Sequence, residues 1–439
     1  MNSEYSSIHN YKMIIKALYL FIVFSLVFTK PNPENGFTLY EVAVKNVRQV
    51  KILSELERKL NLDVWSHALP KRSGRVLVPK DQRMLFENEF SAAGIEYKVI
   101  VQNMEELFEL ERKRLLEAAE RSSSRDDNGS IAIDRMHSYD EVNAFLEELD
   151  KQYPTVNLLT QGTTSEGRPI NYIRISSSNF TDYTKPVVFI QSLIQGREWI
   201  SLPVVLHAIN KLVTDVTEED LVKDIDWIIL PIANPDGYHY SSTNSRQWTK
   251  NRRIVDQECI GVNIDRNFGI NFGDYSSDNP CSDNYHGTSE ESEVETRSIR
   301  DIMILNQGRI KLFLNLQSFG SQILYGLGTG DLPSNGLILH LIGMQMATVK
   351  NEIFTCKDDD YVVGNVAAVL EKESGSAIDY ATVVRNIPYS YTIRLPSYAN
   401  GGTVNNDNGY IVDPRYFKKA AEEAWEAIKV GAEFVRDFA

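Results

Sequence analysis

Cysteine is scarce in this chain, with three in 439 residues. So few cannot make a disulfide framework for so long a sequence. No C-x-x-C occurs to suggest a zinc ribbon or a dithiol redox centre. Cys259 and Cys281 are close enough in sequence to close a loop, which leaves Cys356 over. Histidine is also sparse, at seven residues, and none lies in an H-E-x-x-H pair. There is no G-x-S-x-G, and Gly326, Gly328 and Gly330 lack the spacing and the Lys-Ser/Thr of a phosphate loop. Positive charge is in deficit: 46 basic against 60 acidic residues give a net charge of −14. That argues against nucleic acid and anionic membrane surfaces as partners. No internal repeat or low-complexity tract is present.

What is there begins with a leader. Two lysines within Tyr11–Lys16 precede the apolar run Ala17–Phe28, too short to span a bilayer comfortably, and Thr29-Lys30-Pro31-Asn32-Pro33 breaks it. Residues 1–30 are read as a secretory signal peptide. An uncleaved anchor is the competing reading, because no A-x-A site follows. Two sequons, Asn128-Gly129-Ser130 and Asn179-Phe180-Thr181, fit a secreted, extracellular chain with no membrane attachment after signal cleavage.

Residues 37–102 read in the order β-α-β-β-α-β, that of a ferredoxin-like module. Residues 103–135 hold a charged helix, Glu105–Glu120, and a polar linker in which Arg121 and Arg125 offer basic cleavage points. From 136 to 439 strands and helices alternate. Val156–Gln161 and Ile170–Ser176 read as an antiparallel pair. Lys185–Leu193, Ile225–Ile232 and Ile310–Phe319 are apolar runs of the buried-strand kind. The expected class is α/β: a mixed, mostly parallel sheet with helices on both faces, preceded by the small α+β module.

The centre of this larger unit is Val187–Pro203, V-V-F-I-Q-S-L-I-Q-G-R-E-W-I-S-L-P, a strand, a turn and a helix. The turn presents Gln195, Arg197 and Glu198 where an open α/β sheet binds its ligands. The segment closely resembles H-A-R-E-W-I, the first metal motif of the zinc carboxypeptidases of the pancreatic A/B type. Gly167-Arg168-Pro169-Ile170, Asn234-Pro235-Asp236-Gly237-Tyr238, Cys259–Phe268 and Pro280–Gly287 resemble further family motifs in the same order. Residues 37–102 look like the family's activation segment.

The resemblance implies one zinc held by two histidines and a glutamate, with a water as the fourth ligand. Carried onto this chain, the first histidine falls on Gln195, the glutamate on Glu198, and the second histidine on Gln317 of Gln317-Ser318-Phe319. The catalytic glutamate falls on Arg394, within Tyr389–Leu395. Thr249 stands for the arginine that polarises the carbonyl, and Asp265 and Arg266 for the Asn-Arg pair that grips a terminal carboxylate. Glu371 stands for the closing tyrosine and Ile378 for the base of the specificity pocket. Arg197, Arg266 and Ser318 are retained. Matching family positions pair Cys259 with Cys281, leaving Cys356 a free thiol.

Amide oxygens are weak ligands for zinc, and an arginine is always protonated, so it cannot act as a base. No cofactor is therefore expected. The chain is read as a secreted, monomeric, catalytically inactive relative that binds a peptide or protein. An active carboxypeptidase removing apolar C-terminal residues through an altered metal site is the alternative, and a structural secreted protein without a ligand is another. Charge balance further suggests that Arg394 pairs with Glu198 in the metal's place, with Gln195 and Gln317 donating amide hydrogens nearby. Asp265 would neutralise Arg266 in the same way.

Overall fold

In the computed structural model the described residues are 36–123, 129–353, 361–398 and 408–438. The leader, Arg125, Asn128 and Cys356 lie outside them. Strands β1 (Phe37–Ala43), β2 (Asp63–Ser66), β3 (Gly74–Pro79) and β4 (Glu96–Val101) form an antiparallel sheet in the order β2-β3-β1-β4. Helix α1 (Val47–Leu60) is capped by Asn46, whose side chain accepts the Gln49 amide, and ends at Asn61 in the left-handed conformation. With α2 (Arg83–Ala92) it covers one face of the sheet, burying Tyr40, Val42, Phe86 and Phe90. Successive strand residues point to opposite faces. Leu39 and Leu77 therefore pack the other way, with Trp65, toward the larger unit.

Helix α3 (Met104–Arg121) joins the two units. Its Glu111 is buried against the larger one, accepting from Arg246 Nε at 2.7 Å, Arg246 Nη2 at 3.0 Å and the Val412 amide at 2.7 Å. Arg114 adds an ion pair with Asp413 at 2.9 Å.

The larger sheet comprises β5 (Val156–Thr163), β6 (Pro169–Ile175), β7 (Val187–Ser192), β8 (Asp226–Leu230), β9 (Ile310–Ser318), β10 (Gln322–Tyr325), β11 (Val362–Asn365) and β12 (Tyr389–Leu395). Their order is β11-β10-β12-β9-β7-β8-β6-β5. The centre is parallel (β12, β9, β7, β8), and β6 and β5 add antiparallel strands at one edge. Every residue of β7 and β8 is buried, as befits strands covered on both faces. Helices α4 (Tyr139–Gln152), α5 (Ser201–Val213), α8 (Gly336–Ile353) and α9 (Phe417–Phe438) pack on one face. Helix α7 (Val294–Leu305) packs on the other. This is the mixed α/β architecture expected from the sequence.

Asn234-Pro235-Asp236-Gly237-Tyr238 opens helix α6 (Pro235–Thr243). Asn234 caps it by accepting the Gly237 amide at 2.9 Å, and Pro235 takes the first turn, where no donor is needed. Strand β11, four residues long, was too short to be read from periodicity. Cys259 and Cys281 form a disulfide with a Cα–Cα separation of 4.9 Å.

Candidate functional site

The carboxyl ends of β7, β9 and β12 open onto one cleft. The turn after β7 brings in Gln195, Arg197 and Glu198; the end of β9 brings Gln317, Ser318 and Phe319; and β12 brings Arg394. Strand register sets Arg394 beside Gln317 on one side and Gln322 on the other.

Glu198 is buried, and its Oε1 accepts the Ser318 amide at 3.2 Å. Its Oε2 has no hydrogen-bond partner. Burial pushes this carboxyl up to about 8, against the opposing pull of the Ser318 amide and of the Arg394 charge. The expected Arg394–Glu198 ion pair does not form. Arg394 Nη1 instead donates to Gln322 Oε1 at 3.4 Å, and its guanidinium stands 5.9 Å from the centre of the Phe319 ring. The physical reason is the register: Gln322 is the direct cross-strand neighbour of Arg394, and the peptide of Ser318 already satisfies one oxygen of Glu198.

The amides behave differently from expectation too. Gln317 Nε2 donates to Asp265 Oδ2 at 2.7 Å, whereas Gln195 is half-buried in the turn. The other Asp265 oxygen accepts the Ala377 amide at 2.8 Å. Asp265 thus makes no direct side-chain ion pair with Arg266, although its charge still acts on that guanidinium. The direct ion pair is with Glu373, whose Oε2 lies 2.8 Å from Arg266 Nη2. Burial raises the affinity of both Asp265 and Glu373 for protons, and Arg266 works against it. Ile378 is buried behind this group. Next to it Asp379 accepts the Gly328 amide and is pushed up to about 7, first by burial and then by Glu373. Thr249 Oγ1 is buried without a partner.

The cleft is closed by the small module. Arg197 Nη1 donates to Asp63 Oδ2 at 2.6 Å, and Nη2 to Tyr410 Oη at 3.2 Å, with the guanidinium 4.0 Å from the Tyr410 ring centre. Trp65 packs edge-on against Phe319 and Tyr410, with ring centres 5.8 and 5.7 Å apart. Glu371, which is exposed, pairs with His67 of the small module at 2.8 Å. Asn61 donates to the Cys281 carbonyl at 3.0 Å.

Of the residues marked in the sequence, the fold brings Gln195, Arg197, Glu198, Thr249, Asp265, Arg266, Gln317, Ser318, Phe319, Ile378 and Arg394 to this cleft, with Glu371 at its rim. Sequence reasoning missed Glu373, Tyr410, Asp63 and Trp65. Among the described residues no group of three or more His, Cys, Asp or Glu side chains is arranged to hold a metal ion.

The Zinc carboxypeptidase family model matches residues 142–427, and the Carboxypeptidase activation peptide model matches residues 40–111. The chain belongs to the zinc carboxypeptidase family. It is 39% identical to carboxypeptidase B of Helicoverpa zea over 427 residues, covering 95% of this chain and 98% of the relative. To mouse carboxypeptidase A2 it is 30% identical over 420 residues, covering 92% and 94%. Among solved structures, carboxypeptidase A from Helicoverpa armigera superimposes with a TM-score of 0.88 at 47% identity, covering 93% of this chain and 99% of that one. In family terms, the small module is an activation domain seated on the cleft of the carboxypeptidase domain.

Proposed function

We propose that this family member does not turn over peptides and acts instead by binding a peptide or protein at the cleft. The observation that carries the reading is the state of the three positions at which the family resemblance places zinc. Only Glu198 is ionisable there. Gln317 is committed to Asp265 at 2.7 Å, and Gln195 offers a neutral amide. These residues do not fit a zinc ion. Arg394, in the same cleft, supplies a fixed positive charge and no proton acceptor. Thr249 and Asp265 in place of an arginine and an asparagine leave a substrate carbonyl and a terminal carboxylate without the family's contacts.

Secretion is part of the proposal. The Cys259–Cys281 disulfide suits an oxidising compartment, as do the leader and the Asn179 sequon. No described helix is long and apolar enough to cross a membrane. The test is metal analysis of the purified chain, together with hydrolysis of peptides ending in aromatic or aliphatic residues. Zinc far below one per chain and no turnover are expected. Stoichiometric zinc with chelator-sensitive hydrolysis would overturn the reading in favour of an active enzyme.

A further inference from the structure

Helix α8 is apolar on both of its faces. Its inner face buries Leu339, Ile342, Met346 and Ala347 in the main core. Gly343 sits so close to the sheet that a Cβ there would come within 2.8 Å of Val363. The outer face of a helix packed this way is ordinarily polar. That of α4, in the same layer, presents Asp140, Glu147, Asp150 and Lys151 to water. On α8, by contrast, Leu337, Ile338, Leu341 and Met344 are 44–74% exposed. Leu332, packed over Gly336 at the helix start, extends the patch at 58% exposed. No Asp, Glu, Lys or Arg occurs between Leu337 and Thr348. Leu337, Leu341, Met344 and Thr348 follow one another at spacings of four, three and four, the rhythm of helices that pack in pairs. A helix that is apolar all round is one that is covered all round.

We infer that this stripe is the interface of a homodimer, in which α8 of one copy packs against α8 of a second about a two-fold axis. This departs from the monomer expected from the sequence, and it does not rest on the binding reading above. A two-fold contact uses the same patch on both copies, so one stripe supplies both halves. Together the five exposed side chains present on the order of 500 Å² of apolar surface, at the upper end of what a monomer shows and about the apolar share of one side of a standard homodimer interface. Charge points the same way. Each copy carries a net charge of −14, which opposes contact between like chains everywhere except across a face that bears none. The same negative charge disfavours an anionic lipid surface as the occupant. Leu341, between Leu337 and Met344 in the stripe, lies near its centre, where burial on association is greatest.

The test is sedimentation velocity on the secreted protein across a dilution series, with circular dichroism to confirm that each variant is folded. Interfaces of this size bind in the micromolar range or tighter, so the wild type is expected to be dimeric at tens of micromolar chain and to dissociate on dilution. Leu341→Glu places a charge in the middle of the stripe and should weaken the dimer by at least about tenfold. Leu305→Glu, an equally exposed leucine on α7 on the opposite side of the sheet, should leave association unchanged. A wild type that stays monomeric over the whole series overturns the inference, whether another partner covers the stripe or none does. So does a dimer that survives Leu341→Glu, or one that is lost in Leu305→Glu, since either places the interface elsewhere. Should Leu341→Glu not fold, Leu337→Lys decides by the same criteria, because a side chain 74% exposed can be changed without opening the core. Zinc content and peptide hydrolysis, which decide the functional reading, leave this result untouched.

Discussion

His67 of the activation domain faces Glu371 of the cleft rim at 2.8 Å, and Glu57 stands 3.6 Å from its other ring nitrogen. Burial opposes a charge on the imidazole. The hydrogen bonds and charges of Glu371 and then Glu57 outweigh that opposition and lift it from 6.5 to about 10. A folded value above the unfolded one means the contribution to stability is whole below pH 6.5 and fades as pH rises toward about 10. The thermal midpoint of the wild type should therefore fall through that window more steeply than that of His67→Gln. Parallel curves for the two proteins would contradict this.

Glu373→Ala leaves Arg266 charged and without its ion-pair partner in a buried setting. Removing one half of such a pair costs about 3 kcal/mol, so the urea midpoint should drop accordingly. The same variant should gain affinity for peptides with a free C-terminal carboxylate, since that group can take the place of the lost one. Glu373→Gln should lose less stability, because its amide oxygen still accepts from Arg266. An unchanged midpoint for both variants would show that the pair is dispensable.

The Cys259–Cys281 bridge closes a loop with a sequence separation of 22. Replacing either cysteine by serine should cost about 2–4 kcal/mol. Because Asn61 of the activation domain donates to the Cys281 carbonyl, protease protection of the activation domain should fall as well. Chemical unfolding followed by tryptophan fluorescence, with limited proteolysis alongside, reads both effects.

Reverting Gln195→His, Gln317→His and Arg394→Glu together should restore zinc binding near one ion per chain, measured by elemental analysis. Turnover should remain low, because Thr249 and Asp265 are unchanged. Full family-like activity in the triple variant would mean those two positions matter less than the cleft geometry suggests. Failure to gain any metal would mean that the Gln317–Asp265 contact reflects a wall already reshaped away from a zinc site.

The order of elements was legible in the sequence because it rests on local signals: the buried runs of β7 and β8, the β-α-β-β-α-β pattern of residues 37–102, and the motif around Gln195. The pairing of Arg394 was not. Charge balance alone chose Glu198, but strand register puts Gln322 directly opposite Arg394, and the Ser318 amide reaches Glu198 first. Glu373 was equally hidden, since nothing local marks it as the partner of Arg266, 107 positions earlier, the difference between the two residue numbers. Asp63, Trp65 and Tyr410 meet at Arg197 only when the two domains are docked. Contacts of that range leave no periodicity to read.

Helix α3 adds a last consequence. Its Glu111 is held by one edge of the Arg246 guanidinium, through Nε and Nη2, and by the Val412 amide, and Arg114 is tied to Asp413. Both Glu111 and Arg114 lie before Arg121, so a protease cutting after that residue severs the peptide chain and none of the grip. The nicked protein should run as two fragments on a denaturing gel yet elute as one particle from a sizing column. Cleavage would convert a covalent lid into a dissociable subunit, whose departure then depends on dilution and on the ligands that compete with it.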